Sequence, residues 1–154
     1  MKLSGLLTSF LIKIDLESTK KDDVIKELVQ FLADQHGLDN TDILLERVIS
    51  RETKMTTGIG SGIAVPHAKS SLVDKMVMVC GLSREGIEYH SIDNEKVKLF
   101  FLMISPSNIT GPHIQTLANI SRIMSNEELR EGLKNAPNAE VFIDILKKGE
   151  EDIK

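Results

Sequence analysis

Apolar residues recur at three- and four-residue intervals along two stretches of the first third of the chain. This spacing places them on one helical face and predicts two amphipathic helices. The first begins with Ser18 or Thr19 as N-cap and ends at Gly37, which suits a left-handed helix end. The second runs from about residue 40 or 41 to residues 52–54. The apolar faces consist of Val24, Ile25, Leu28, Val29, Leu32, Leu44, Leu45, Val48 and Ile49.

Two continuous apolar runs in the middle of the chain, 76–82 and Val97–Ser105, have the length of buried strands. A shorter apolar segment at 11–14 is interpreted as a third strand, and 63–65 could pair briefly with the sheet edge. Residues 58–67 contain three glycines and a proline, so a helix is excluded there.

Helical periodicity returns after the second long run. Thr110 or Gly111 caps a helix whose first position is Pro112, where the missing N–H costs no hydrogen bond. The spacing predicts an inner face made of Ile114, Leu117, Ile120 and Met124.

Two further helices are predicted near the end of the chain. Ser125 and Glu128 have the spacing of a capping box for a short one. Asn138 caps a final helix that Gly149 ends, and its apolar residues are Val141, Phe142, Ile145 and Leu146. Strands and helices thus mix along one chain, which predicts a single α/β domain over residues 1–154 with helices packed on a small sheet.

Composition and charge narrow the class of protein. The formal net charge is −4 and the basic residues are scattered, which argues against a nucleic-acid partner. Cys80 is the only cysteine, so no intramolecular disulfide can form and a reducing compartment is expected. No apolar run approaches the roughly 18 residues of a membrane span, and polar residues interrupt the apolar N-terminus. We therefore expect a cytoplasmic protein without membrane insertion.

The segment 56–69, TTGIGSGIAVPHAK, carries the most chemical information. Its alternating glycines allow sharp turns that present backbone N–H groups, an arrangement that suits an anion. Pro66 restricts the chain just before His67. The alternative is a tight surface turn with a solvated histidine. Neither GxxxxGK[ST] nor GxGxxG occurs, so a phosphoryl group would not be expected to arrive on ATP.

A histidine is a chemically reasonable phosphoryl acceptor, because its ordinary pKa of about 6.5 leaves a neutral ring nitrogen near pH 7. Three other residues could serve such a site. His113 lies in the first turn of a predicted helix and is expected to leave the core. Arg51 lies at the end of the second helix, and Ser61 lies within the loop. The alternatives are a capping histidine and a solvated arginine. No close His or Cys pair supports a metal site, and no cofactor is expected.

Four motifs in order resemble the enzyme IIA proteins of the fructose, mannitol and nitrogen type from the bacterial phosphoenolpyruvate-dependent phosphotransferase system. The signature TGIGSGIAVPHAK is preceded by RETKM at 51–55. It is followed by IDNEKV at 92–97 and by PHIQTL at 112–117. The resemblance covers nearly the whole chain and implies a mixed sheet flanked by helices.

The resemblance also implies a function. His67 would accept a phosphoryl group from the phosphohistidine of HPr or its nitrogen-branch homologue, making the protein a phosphotransferase with a phosphohistidine intermediate. Arg51 and His113 would line the site, and the loop N–H groups would bind phosphate. These loop groups belong to Gly60, Ser61 and Gly62, and the docking patch would comprise Met55, Ile59 and Ile63.

Two roles remain open for the phosphorylated protein. Because the sequence contains no transporter membrane domain and no IIB-type cysteine domain, a nitrogen-regulatory role with regulatory target proteins is favoured. The alternative is a sugar-specific IIA component that passes the phosphoryl group to a IIB domain.

Overall fold

The computed structural model describes residues 2–152. Within them, a six-stranded mixed sheet and five helices form one α/β domain, which confirms the predicted fold class. Two short 3-10 turns, Leu3–Gly5 and Ser9–Leu11, precede the first strand.

Helices α1 (Lys21–His36) and α2 (Thr41–Lys54) confirm the two helices predicted for the first third of the chain. Gly37 ends α1 with a φ of 65°, the left-handed conformation expected of it. On α2, Leu44 and Val48 are buried as predicted, which turns the opposite side of the helix outward.

The start of α1 differs from the prediction. Lys20, and neither Ser18 nor Thr19, occupies the N-cap position. The backbone N–H of Ser18 instead donates to the Glu27 carboxylate over 2.9 Å, and the N–H of Glu17 donates to it over 3.0 Å. This side chain holds the preceding segment against the flank of α1, and the helix begins one or two residues later than predicted.

The strands are β1 (Ile12–Lys13), β2 (Gly58–Gly60), β3 (Ile63–Ala64), β4 (His67–Lys69), β5 (Val77–Ile87) and β6 (Val97–Ser105). Their order is β1-β5-β6-β3-β2, and β4 also pairs with β6. β1 runs parallel to β5, β3 and β4 run parallel to β6, and the remaining pairs are antiparallel. The sheet is therefore mixed, as the resemblance implied.

The long strands agree with the prediction except at one end. β6 has the predicted bounds, whereas β5 begins one residue later and extends past residue 82 to Ile87. Arg84 and Glu85 in this extension are exposed. The extension was not predicted, because this end of the hairpin leaves the core and its residues are polar, whereas the prediction relied on a continuous apolar run.

Helix α3 (Gly111–Met124) has Pro112 in its first turn, as predicted, but its inner face is rotated. His113 is only 6% exposed, whereas Ile114 is 59% exposed. The predicted stripe that began at Ile114 is therefore wrong at that position, and so is the expectation that His113 leaves the core. His113 points inward in place of Ile114 because its ring contacts the Ser105 hydroxyl of β6.

The last two helices are α4 (Glu127–Lys134) and α5 (Ala139–Asp152). The N-cap of α4 is Asn126, whose side chain accepts from the Leu129 N–H, so the predicted Ser125 capping box is wrong. Asn138 caps α5 as predicted, accepting from the N–H of Val141 over 2.9 Å. Gly149 does not end this helix but lies inside it, directly against the Leu129 side chain.

The helices cover the sheet in two groups. α1 packs on β5 and β6 and against α2, whereas α4 packs on β6 and against α3 and α5. Residues 99–105 of β6 are all buried although successive side chains point to opposite faces, so both faces are covered. Between residues 2 and 152, no helix has the length and apolar character that crossing a bilayer demands.

Candidate functional site

His67 is the first residue of β4 and lies beside Met103 of β6. Pro66, which has no N–H to contribute, still accepts the Met103 N–H through its carbonyl over 3.1 Å. The imidazole Nδ1 lies 2.8 Å from the carbonyl oxygen of Val65. A carbonyl can only accept, so Nδ1 carries the proton. In the neutral ring, Nε2 is therefore the nitrogen with the available lone pair.

The surroundings of His67 keep this ring neutral. Burial lowers the pKa of the imidazole below its ordinary value, and the nearby Arg51 guanidinium lowers it further. The bond to Val65 and the charge of Glu52 act in the opposite direction without overcoming these effects. The half-buried ring is thus available as a neutral nucleophile near pH 7.

The structure brings His113 next to His67. The two rings meet edge to face, with centroids 5.3 Å apart and an interplanar angle of 63°. His113 Nδ1 lies 2.7 Å from the buried hydroxyl of Ser105, the last residue of β6. Burial and the neighbouring His67, Lys69 and Arg51 lower the pKa of His113 to about 4. His113 is therefore neutral at pH 7 and anchored to the sheet.

Arg51 lies in the last turn of α2 and is half-buried at the same site. Its Nη1 donates to the carbonyl of Met55 over 2.9 Å, which occupies one of the open acceptors at the helix end. The guanidinium also borders the cleft that contains His67. The structure thus places the three predicted residues Arg51, His67 and His113 around one space.

This cleft of about 340 Å³ is strongly basic. Besides the predicted residues, it is lined by Arg47, Ser50, Lys54, Ala68 and Lys69. Three of the cations come from one side of α2, because residues 47, 51 and 54 are spaced by four and three positions. Lys69 follows His67 by two residues on the same strand and donates to the Thr110 hydroxyl over 3.1 Å. These five residues were not among the predicted site residues, although the helical spacing of the cations on α2 is visible in the sequence.

The glycine loop lies elsewhere, which corrects its predicted role. Gly60, Ser61 and Gly62 form the tip of the β2–β3 hairpin, with φ values of 101°, 58° and 79°. Ile63 pairs with residue 99 and His67 with residue 103 of β6, so about 13 Å of strand separates them. Ser61 and Gly62 line a different cleft.

One backbone N–H group of this loop, that of Ser61, already has an anionic partner. The Ser61 N–H donates to the Asp93 carboxylate over 2.9 Å, and this bond is the main reason for the lowered pKa of Asp93. The Ser61 carbonyl accepts from Lys134 Nζ over 2.7 Å. The sequence predicted an anion-binding loop, but the anion is a side chain of the protein. We therefore leave Gly60, Ser61 and Gly62 out of the phosphoryl site.

The remaining sequence predictions concern docking and metals. Met55 is 68% exposed and Ile59 36% exposed, whereas Ile63 is buried and cannot contact a partner. Among residues 2–152, no three His, Cys, Asp or Glu side chains are grouped as a metal ion would require. Burial raises the pKa of the Cys80 thiol, as expected of a packed side chain.

Comparison with known proteins identifies the family. A family model described as "Phosphoenolpyruvate-dependent sugar phosphotransferase system, EIIA 2" matches residues 5–149. The fructose-specific EIIABC component of Bacillus subtilis (strain 168) is 34% identical over 146 residues, which span 95% of this chain and 23% of that protein. The fructose-specific EIIA component of Haloferax volcanii is 32% identical over 136 residues, 88% of each protein.

A solved structure agrees with the sequence matches. The nitrogen regulatory protein IIA-Ntr from Neisseria meningitidis superposes with a TM-score of 0.86 at 27% identity, covering 94% of this chain and 98% of that one. The match to the family model extends over both histidines of the cleft and over Arg51. The chain therefore belongs to the EIIA type 2 family of the phosphoenolpyruvate-dependent sugar phosphotransferase system.

Proposed function

We propose that this protein is a phosphoryl carrier that receives a phosphoryl group on Nε2 of His67. The observation that carries the proposal is the hydrogen bond from His67 Nδ1 to the Val65 carbonyl. It fixes one tautomer and leaves the Nε2 lone pair for bond formation, in a cleft that four cationic side chains border. The proposed donor is the phosphohistidine of HPr or of its nitrogen-branch homologue.

The proposed transfer exchanges one nitrogen–phosphorus bond for another. Nε2 of His67 attacks phosphorus in line as the bond to the donor imidazole breaks, and that imidazole keeps the bonding electron pair. The equatorial oxygens carry negative charge through this step. Arg51 can offer them a planar pair of N–H donors, and Lys69 and Lys54 add positive charge at the rim of the cleft.

His113 is proposed to stabilise the phosphorylated ring. If the Ser105 hydroxyl donates to Nδ1, then the proton of the neutral His113 ring resides on Nε2. That N–H can donate to a phosphoryl oxygen on the neighbouring His67 ring. Ser105 would thereby select the tautomer that His113 needs.

Two recipients are candidates for the phosphoryl group. The Bacillus subtilis and Haloferax volcanii relatives, both more than 30% identical, bear fructose-specific names, which supports transfer to a sugar-system IIB domain. The superposition on IIA-Ntr supports the nitrogen-regulatory role, in which the phosphorylation state controls binding to regulatory targets. Measuring phosphoryl loss from the labelled protein upon adding a fructose-type IIB domain separates the two, since only the first role predicts rapid loss.

The carrier function itself is tested by phosphotransfer. With phosphoenolpyruvate, enzyme I and HPr, or its nitrogen-branch homologue, the protein should gain one phosphoryl group that is labile in acid and stable in alkali. The His67→Ala protein should gain none. A modification that persists in full on His67→Ala would refute the assignment.

A further inference from the structure

Glu52, next to Arg51 on α2, is a buried carboxylate with four hydrogen-bond or ionic contacts. Its Oε2 accepts from the backbone N–H of Thr57 over 2.8 Å and pairs with Lys21 Nζ at 3.0 Å. Its Oε1 accepts from the Thr57 hydroxyl over 2.5 Å and from the Tyr89 hydroxyl over 3.0 Å. The side chain thus joins α1, α2 and the segments before β2 and after β5.

These contacts keep the carboxylate ionised and fixed. Burial alone would raise the pKa of Glu52, but the bonds from Thr57 and the charge of Lys21 hold it below the ordinary value. Lys21 Nζ is held in turn over the Tyr89 ring, 4.3 Å from its centroid. A carboxylate with two donors on each oxygen has little freedom to rotate or withdraw.

A continuous series of hydrogen bonds leads from this carboxylate to the acceptor imidazole. Glu52 holds the N–H of Thr57, and the Thr57 carbonyl accepts the N–H of Val65 over 3.0 Å. The Val65 carbonyl then accepts the proton of His67 Nδ1 over 2.8 Å. Because β2 begins only at Gly58, the Val65 carbonyl lies beyond the β2–β3 pairing and is available to the imidazole.

From this arrangement we infer that Glu52 is a positioning residue for phosphoryl transfer, because it fixes Thr57 and thereby the Val65 carbonyl that selects the reactive tautomer of His67. The inference rests on the proposed function for its kinetic consequence only. The same carboxylate also holds the last turn of α2, where the adjacent Arg51 faces the cleft. One buried group thus sets both the acceptor ring and the main cation of the site.

The test compares two substitutions that separate the length of the Glu52 side chain from its negative charge. Glu52→Gln keeps the length of the side chain and an oxygen for the Thr57 N–H but loses the negative charge. Glu52→Asp keeps the charge but withdraws the carboxylate by one methylene. We expect Glu52→Gln to retain more of the Nδ1–H tautomer of His67 than Glu52→Asp does, and to transfer faster than that variant. Glu52→Asp should lose part of that tautomer and slow transfer about tenfold, the typical effect of removing a partner that orients a histidine.

The tautomer is read from the ¹⁵N chemical shifts of His67 in the unphosphorylated protein, well below the melting temperature of each variant. Tyr89→Phe is the matched control, because it removes one donor to the same carboxylate, together with a contact to the Thr57 hydroxyl, and leaves the bond from the Thr57 N–H to Glu52 intact. It should lower stability without changing tautomer or rate. Equal tautomer populations in the Gln and Asp variants, or a Gln variant slower than the Asp variant, would overturn the inference. Because the tautomer is measured without a donor, failure of the carrier function would be seen separately, as a wild-type protein that is not phosphorylated.

Discussion

At the scale of single residues, the chemistry depends on a histidine that stays neutral beside several cations. Because burial and Arg51 lower the pKa of His67, acid protonates this ring only below the usual imidazole range. We therefore expect the rate of phosphorylation to remain on a plateau as the pH falls to about 6.5, the ordinary pKa of histidine, and to decline only below it. Transfer rates measured from pH 8 to pH 5, with the donor loaded beforehand, test this expectation. A midpoint above the ordinary pKa would contradict it.

Arg51 is expected to contribute chiefly to the transition state. Arg51→Ala should slow transfer by a factor that corresponds to about 2.7–4 kcal/mol, the cost of removing one donor to a developing charge. Arg51→Lys should recover only part of the rate, because an ammonium lacks the planar fork. Single-turnover kinetics measure the transfer rate of each variant. A melting curve measures the stability lost when the bond from Arg51 to the Met55 carbonyl is removed.

The control for this substitution is Arg122→Ala. Arg122 is an exposed cation in the last turn of α3, far along that helix from the cleft. A loss of rate equal to that of Arg51→Ala would show that general charge, and not the position of Arg51, matters.

His113 links the site to stability. Its pKa is about 4 in the fold and about 6.5 in the unfolded chain, so the unfolded chain binds a proton first as the pH falls. Stability present above pH 6.5 should therefore decline by on the order of 3 kcal/mol as the pH falls to 4. His113→Gln, which can still bond Ser105, should lack this part of the decline. Denaturant unfolding at several pH values gives the difference between the two proteins, and identical pH slopes would exclude the effect.

At the scale of secondary-structure elements, the packing of α4 against α5 yields a prediction about two glycines. Gly149 lies inside α5, where a Cβ atom would collide with the Leu129 side chain. Helix propensity alone would favour alanine by about 1 kcal/mol. The collision should instead make Gly149→Ala destabilising by about 1–3 kcal/mol, the usual cost of overpacking. Thermal and denaturant unfolding check the sign.

Gly132→Ala provides the comparison within the same helix pair. A Cβ atom at Gly132 of α4 would lie 3.4 Å from the nearest atom of Ile145, at the edge of an ordinary contact. This substitution should leave stability unchanged or raise it slightly. Equal stability of the Gly149→Ala and Gly132→Ala proteins would contradict the close approach of Gly149 to the Leu129 side chain.

The elements that sequence analysis predicted correctly are those with a continuous local signal. β6 had the right bounds because an unbroken apolar run is what a strand buried on both faces requires. The pattern failed where a distant partner decided the outcome. Ile114 was placed inward by spacing, but the Ser105 hydroxyl, eight residues before His113, draws the histidine in. Likewise, the sequence predicts that Gly149 ends the last helix, whereas in the structure this glycine lies within α5 because the Leu129 side chain packs directly against it.

At the scale of the whole molecule, the distribution of charge separates the site from the rest of the surface. The chain carries a net charge of −4, yet four cations border the cleft that contains His67. Three of these cations lie on α2 and the fourth, Lys69, lies on β4, and they come together because α2 packs against β4. Such a local positive field attracts a phosphorylated donor to this cleft in preference to the acidic remainder of the surface.

The candidate site could be predicted in part. Arg51, His67 and His113 were predicted together and lie around one cleft. The predicted loop donors, Gly60, Ser61 and Gly62, do not lie at this cleft. The Ser61 N–H instead donates to Asp93, which lies 32 residues further along the sequence. Glu52 was visible in the motif RETKM, but its contacts with Lys21 and Tyr89 depend on how α1 and the segment after β5 pack on it. No local pattern encodes such contacts.

The central claim concerns one atom, so the most direct measurement identifies the phosphorylated nitrogen. The ¹⁵N-labelled protein is phosphorylated by the donor carrier, and the shifts of the His67 ring nitrogens are recorded before and after. The hydrogen bond from Nδ1 to the Val65 carbonyl predicts a single phosphoryl group on Nε2, with Nδ1 still protonated. A phosphoryl group on Nδ1, or on any other residue, would contradict the account.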